Sequence, residues 1–157
     1  MAEGTAAGVD ADDGAAAAWA AFAATPPLPQ ADDLTAFYWA GANEHRLLIL
    51  RCNACGSYIH EPRAWCRFCL STDLAPAEVS GRGRLDTFTI PMQPSHPYFM
   101  ARVPYNLAIV ELVEQPGLKL VSSVVDCEEQ DLRVGMPLRV VFRAVADDVT
   151  LPYFTPE

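Results

Sequence analysis

Arg51-Cys52-Asn53-Ala54-Cys55-Gly56 and Pro62-Arg63-Ala64-Trp65-Cys66-Arg67-Phe68-Cys69 are the stretches that decide the fold. Each holds a Cys-x-x-Cys pair, and ten residues separate the pairs. The two-residue gap lets one tight turn present both sulfurs to one metal, and four thiolates arranged this way close a tetrahedral site. Gly56, directly after Cys55, suits the strained turn that brings backbone N–H groups toward sulfur. The residues between the pairs, 57–65, are long enough for a short hairpin. Zinc is the default ion for a closed four-thiolate site without redox demand, with iron as the alternative. Such a site has no open coordination position, so its metal is expected to be structural, one Zn2+ per chain.

Two other readings of the cysteines compete. A redox Cys-x-x-Cys needs a βαβ context, which the sequence does not offer. Disulfides need an oxidising compartment. The Ala-rich run 14–24 imitates a signal-peptide core, but no Lys or Arg precedes it, and the cysteines number five. A cytoplasmic protein is therefore expected. Cys127 stands apart from the cluster after the apolar run 121–125 and reads as a small buried side chain.

Outward from the cysteines, the chain divides in three. Residues 1–31 are expected to form a flexible acidic arm rich in Ala and Pro. Within it, 15–24 has high helix propensity and places Trp19 and Phe22 at i, i+3; Pro26, Pro27 and Pro29 stop that helix. Residues 32–79 form a helix and the metal ribbon. Leu34, Phe37, Tyr38 and Gly41 make one apolar stripe over 32–44, which Asp32 or Asp33 can cap. Trp39 lies off that stripe. A short strand over 47–50 leads into Cys52. Residues 80–157 switch to strand periodicity, with candidates at 84–90, 106–113, 118–125, 138–145 and 151–154. Gln115-Pro116-Gly117 marks a turn, and 128–133 a helical turn. This is a mainly β chain: an N-terminal helix, a zinc ribbon, then a five-stranded antiparallel barrel, with an SH3-like barrel as the nearest rival. The connection 91–104 carries four prolines together with His96, Tyr98 and Phe99, and its stiffness can hold apolar side chains outward.

The 157 residues contain 20 acids and 11 bases, a formal charge of −9. Six of the acids and no base fall in residues 1–33, so the acidity belongs largely to the arm. A strongly basic nucleic-acid binder is disfavoured, and no apolar run reaches the ~18 residues of a membrane span. The ribbon is the least acidic region: Arg63 and Arg67 belong to an Arg cluster that can face a phosphate-bearing ligand or an acidic partner. No nucleophile, acid and base converge in any recognisable motif, so no catalytic residue is assigned.

The ordered string Phe37-Tyr38-Trp39, Arg51 to Gly56, Pro62 to Cys69, Ser80 to Gly83, Val103-Pro104-Tyr105 and Val134 to Pro137 closely resembles a bacterial and archaeal family. Its members are OB-fold, acyl-CoA-associated proteins with an N-terminal rubredoxin-like zinc ribbon. The resemblance spans roughly residues 34–154. It implies a five-stranded OB barrel, zinc on Cys52, Cys55, Cys66 and Cys69, and a thiolase-superfamily partner. That partner is a lipid-transfer-protein-like aldolase cleaving a steroid-type acyl-CoA side chain, or an acyl-CoA thiolase, with the acyl-CoA shared between the two chains. The chain is then expected to be a separate accessory subunit, alone not an enzyme. Phe37, Tyr38, Trp39, Arg63, Arg67, His96, Tyr98 and Phe99 are the candidates for its partner or ligand surface. The alternative is a nucleic-acid-binding zinc-ribbon/OB module.

Overall fold

The computed structural model describes residues 12–157; the first eleven residues of the arm expected over 1–31 lie outside them. Two compact units emerge. The described part of one is residues 12–27 with 92–103; the other is residues 28–91 with 104–157.

In the first unit, α1 (Asp12–Ala24) is the Ala-rich helix. It ends where Thr25 turns back on Ala21, with both N–H and Oγ bonded to the Ala21 carbonyl, and Pro26 and Pro27 prevent its extension. The Trp19 and Phe22 rings lie 5.8 Å apart, and Phe22 meets the His96 ring at 4.8 Å. His96 Nδ1 accepts from Tyr98 N–H at 3.2 Å, which caps the one-turn helix α3 (Pro97–Met100).

The second unit joins ribbon and barrel. Asp32 and Thr35 close a turn on themselves: Asp32 Oδ1 accepts from Leu34 N–H, Thr35 N–H and Thr35 Oγ, while Thr35 Oγ accepts from Asp32 N–H. Because this turn closes separately, α2 begins only afterwards, at Ala36–Asn43, and Leu34 is left exposed instead of on the buried stripe. Strand β1 (Leu48–Cys52) is the centre of a three-stranded sheet between β2 (Tyr58–Ile59) and β3 (Leu74–Glu78). The interval between the cysteine pairs thus gives one two-residue strand paired to β1, in place of a hairpin of its own.

The barrel follows. Strands β4 (Arg82–Thr89), β5 (Leu107–Leu112), β6 (Lys119–Ser122), β7 (Pro137–Ala146) and β8 (Val149–Pro156) form an antiparallel sheet in the order β6-β5-β4-β7-β8. A 3-10 turn, Glu129–Asp131, lies between β6 and β7. A bulge between Leu85 and Thr87 helps the sheet curl. The two edges then meet through a parallel bridge, Val124 to Phe154, with Val125 N–H on Phe154 O at 2.7 Å. This is the curled five-stranded sheet expected of an OB barrel. Gly83 permits the close approach of β4 and β5, because a Cβ there would stand 2.6 Å from the Glu111 carbonyl oxygen.

One strand and one helix bind the two cores together. Side chains alternate along β1, so Ile49 enters the barrel core of Leu85, Val110, Leu120, Leu138 and Phe154, while Leu50 and Cys52 enter the ribbon cluster with Ile59 and Cys66. On α2, Phe37 packs on the ribbon cluster and Tyr38 on the barrel core.

Candidate metal centre and adjoining cleft

The centre is built from two turns of the same design. In the first, Cys52 N–H bonds Ser57 O at 2.9 Å and Gly56 N–H bonds Cys52 O at 2.8 Å. In the second, Cys66 N–H bonds Ser71 O at 2.8 Å and Leu70 N–H bonds Cys66 O at 2.9 Å. Both turns need a residue in the left-handed region after the second cysteine: Gly56 at φ +76° and Leu70 at φ +64°. Each turn points two sulfurs at the other, so the Sγ atoms of Cys52, Cys55, Cys66 and Cys69 all lie within 4.8 Å of one another.

The donor set fits zinc. Cys52 Sγ to Cys69 Sγ and Cys55 Sγ to Cys66 Sγ are each 3.6 Å, close to the edge of about 3.8 Å of a tetrahedron with Zn–S bonds of about 2.3 Å. Phe68 N–H points at Cys66 Sγ at 3.4 Å, the backbone donation that stabilises a coordinated thiolate. Electrostatics make the same demand. The Ser57 hydroxyl, 3.4 Å from Cys55 Sγ, together with the Ser57 backbone, holds the Cys55 thiol down to about 6. Against the lowering pull of the Ser71 backbone, the neighbouring Cys55 sulfur, burial and the Cys52 sulfur push Cys69 up to about 12. Four sulfurs this close cannot all ionise unless a cation sits among them. With four protein ligands the ion has no open position, and its contribution is to hold two turns and β1 in one ribbon.

Beside the ribbon is an open cleft of about 590 Å³, lined by Tyr38, Trp39, His60, Arg63, Lys119 and Val121 among others. Tyr38 packs edge-on to Trp39 with ring centroids 4.9 Å apart. Burial of the phenol pushes Tyr38 up to about 12. Burial also pulls His60 below its ordinary value, against the opposing charge of Glu61, and its Nδ1 is buried with no hydrogen-bond partner. Lys119 is tied to Asp86 at 2.7 Å, whereas Arg63 forms no ion pair among the described residues.

The eight surface candidates therefore separate. Phe37 and Tyr38 are used largely within the chain, one on each core, while Trp39 and Arg63 line the cleft. Arg67 lies over the Phe68 ring, 4.7 Å from its centroid, on the exposed side of the second cysteine turn. His96, Tyr98 and Phe99 are half-buried in the other unit, with Arg102 stacked 3.5 Å over Tyr98. Cys127 is partly exposed, and its thiol is raised by burial and by Asp131 and Glu128, the opposite of what a nucleophile needs. Sequence reasoning missed Trp65, Phe68 and Leu70, which are exposed around the second turn. A hydrophobic residue in Leu70's place, where the matching turn has Gly56, was the available signal.

Comparison with known proteins follows the same division. Residues 39–75 match the family described as "ChsH2, rubredoxin-like zinc ribbon domain", and residues 77–143 match "ChsH2, C-terminal OB-fold domain". A DUF35 domain-containing scaffold protein of Methanocaldococcus jannaschii is 30% identical over 119 residues, covering 74% of this chain and 82% of that protein. A probable enoyl-CoA hydratase alpha subunit of Thermomonospora curvata is 34% identical over 130 residues, 83% of this chain; the chain spans only 40% of that relative's length. Among solved structures, a chain of the "Ltp2-ChsH2(DUF35) aldolase" superposes with a TM-score of 0.74 at 34% identity, covering 82% of this chain and 98% of that one. With ribbon and barrel matched in the same order and the four sulfurs gathered between them, this chain belongs to the ChsH2/DUF35 family of zinc-ribbon and OB-fold proteins.

Proposed function

We propose that the chain is the non-catalytic accessory subunit of a thiolase-superfamily enzyme acting on CoA thioesters. The first reading is a lipid-transfer-protein-like aldolase that cleaves an acyl-CoA side chain of steroid type by a retro-aldol reaction; an acyl-CoA thiolase is the second member of the same class. One observation carries it: the chain matches nearly the whole length of the DUF35 chain in a structure named as an aldolase of two components. The closed sulfur site supports a scaffolding role, since it offers no Lewis-acid position.

In this reading the partner supplies the acid and base and this subunit orders the site. The cleft beside α2 supports a share in binding the acyl-CoA: Trp39 offers an aromatic face and Arg63 an unpaired guanidinium suited to phosphate. Trp39 and the aromatics of the proline-rich connection, Tyr98 and Phe99, remain candidates for contact with the partner. The nucleic-acid reading is disfavoured by a net charge of −9 and a single Lys. No helix among the described residues is long and apolar enough to cross a membrane, and four metal-bound thiolates call for a reducing compartment such as the cytoplasm to stay free of disulfides.

The test is isolation of the native complex through a tagged full-length chain, with the partner identified by mass spectrometry. Recovery of a thiolase-fold enzyme in fixed ratio is the expected result. Recovery of the chain alone, or with nucleic acid that salt displaces, would remove the subunit reading.

A further inference from the structure

The two cysteine turns provide an internal control. Cys52-Asn53-Ala54-Cys55-Gly56-Ser57 and Cys66-Arg67-Phe68-Cys69-Leu70-Ser71 share one spacing and one pair of backbone hydrogen bonds, equal to within 0.1 Å. The first shows what the backbone requires: Asn and Ala between the cysteines and a glycine in the left-handed position. The second carries Arg67, Phe68 and Leu70 on the same scaffold. None of these three is needed for the turn, and one works against it. Leu70 holds φ +64°, a conformation that costs an L side chain and costs glycine nothing.

These side chains belong to neither core cluster and are covered by the chain only in part. Leu70 is 74% exposed, and Trp65 and Phe68 are each 52% exposed. Three large apolar side chains within six residues, on a rigid metal-closed turn, have no packing role that explains them. Arg63 and Arg67 flank them, and neither forms an ion pair among the described residues; no acid falls between residues 62 and 72. Elsewhere in the ribbon, Arg46 is held by Glu44 and Glu78, and Arg51 donates to the Gly56 carbonyl and lies over the Tyr58 ring.

We infer that the second cysteine turn, residues 65–70, is a docking tip: Trp65, Phe68 and Leu70 enter an apolar socket on the partner enzyme, and Arg67 meets a carboxylate on its rim. This rests on the subunit reading above and names the surface that reading requires. Exposed aromatic and Arg side chains on a pre-ordered element are the composition of interface anchors. The likeness to one chain of the two-component aldolase structure, of which this chain covers 98%, argues for an enzyme as the occupant; an anionic bilayer and a second copy of this chain are the alternatives that the experiment separates.

The experiment gives the second turn the sequence of the first. The full-length triple variant Arg67→Asn, Phe68→Ala, Leu70→Gly and the single variant Leu70→Gly are compared with wild type for zinc content, melting temperature and affinity. The probe is the purified protein recovered with the tagged wild-type chain from its host. Both variants should keep one zinc and melt within about 3 °C of wild type, because a glycine in place of Leu70 relieves the strained φ while adding backbone freedom to the unfolded chain. Affinity should fall at least tenfold for Leu70→Gly and beyond detection for the triple variant, and wild-type affinity should weaken with salt. Unchanged affinity in both variants would overturn the tip and leave the subunit reading standing. Loss of zinc by the triple variant would make the residues structural and also overturn it. So would binding to phosphatidylserine vesicles, or self-association, that the variants abolish while partner binding stays intact. A wild-type chain that holds no partner at all would instead overturn the subunit reading.

Discussion

At the scale of single residues, the sulfurs are strongly interdependent. Cys66 is fully buried, and its thiolate stands 3.6 Å from that of Cys55. Replacing it with Ser exchanges a soft, charged ligand for a neutral hydroxyl, and coordination fails. Metal-coupled folding of small zinc modules is worth on the order of 10 kcal/mol, so the ribbon should open. Elemental analysis should find one zinc per wild-type chain and none in Cys66→Ser, with new proteolytic cleavage between residues 52 and 70. Tyr38 gives a pH signature. Its phenol ionises near 10.0 when exposed and near 12 in the fold, because burial disfavours the anion. A raised folded value means the contribution is intact below pH 10 and is lost as pH climbs from about 10 to 12. Tyr38→Phe should flatten that alkaline loss in a melting series from pH 8 to 12, while leaving the stability at pH 8 little changed.

At the scale of elements, three amide side chains stand in for missing backbone partners. Asn106 extends the β5–β6 pairing beyond Ser122: its Nδ2 donates to Val124 O and its Oδ1 accepts from Val124 N–H, at 2.8 and 2.7 Å. Gln115 does the same between the β5–β6 turn and the ribbon, accepting from Tyr58 N–H and donating to Tyr58 O. Asn43 links the end of α2 to the β7–β8 turn through Asp148 O and Thr150 N–H. Their bonds are similar but their burial is not, and burial decides the cost. Asn106→Ala strands both groups of Val124 away from water and should cost about 2–4 kcal/mol. Gln115→Ala leaves partly exposed groups that water can serve, and should cost about 1 kcal/mol. Urea unfolding midpoints at unchanged slope are the measurement. Such bridges cannot be read from sequence, because each needs a partner far along the chain. The barrel strands could be read, since alternation and glycines announce them. Strand β3 could not: Leu74-Ala75-Pro76-Ala77-Glu78 has low strand propensity, and Pro76 is tolerated because β3 is an edge. The four metal ligands were fully legible because their chemistry depends on local spacing. The exposure of Leu70 was not, because only the folded turn shows that a leucine occupies a glycine's conformation.

At the scale of the whole molecule, charge and construction are unevenly shared. Most of the net acidity lies in the first 33 residues, while Arg63 at the cleft and Arg67 on the second cysteine turn form no ion pair among the described residues. Ribbon and barrel share β1 and α2, so metal loss should reach beyond the ribbon: chelation with mild heating is expected to lower the melting temperature of the barrel as well, read from its near-ultraviolet circular dichroism. The central claim is that this molecule works by completing another enzyme. The direct measurement is the rate at which the purified partner turns over the acyl-CoA thioester proposed above as the zinc-loaded chain is titrated in. The predicted result is little or no turnover by either protein alone, and a rise to a plateau at a fixed molar ratio that Cys66→Ser cannot reproduce. Full rate from the partner alone, or turnover by this chain alone, would contradict it.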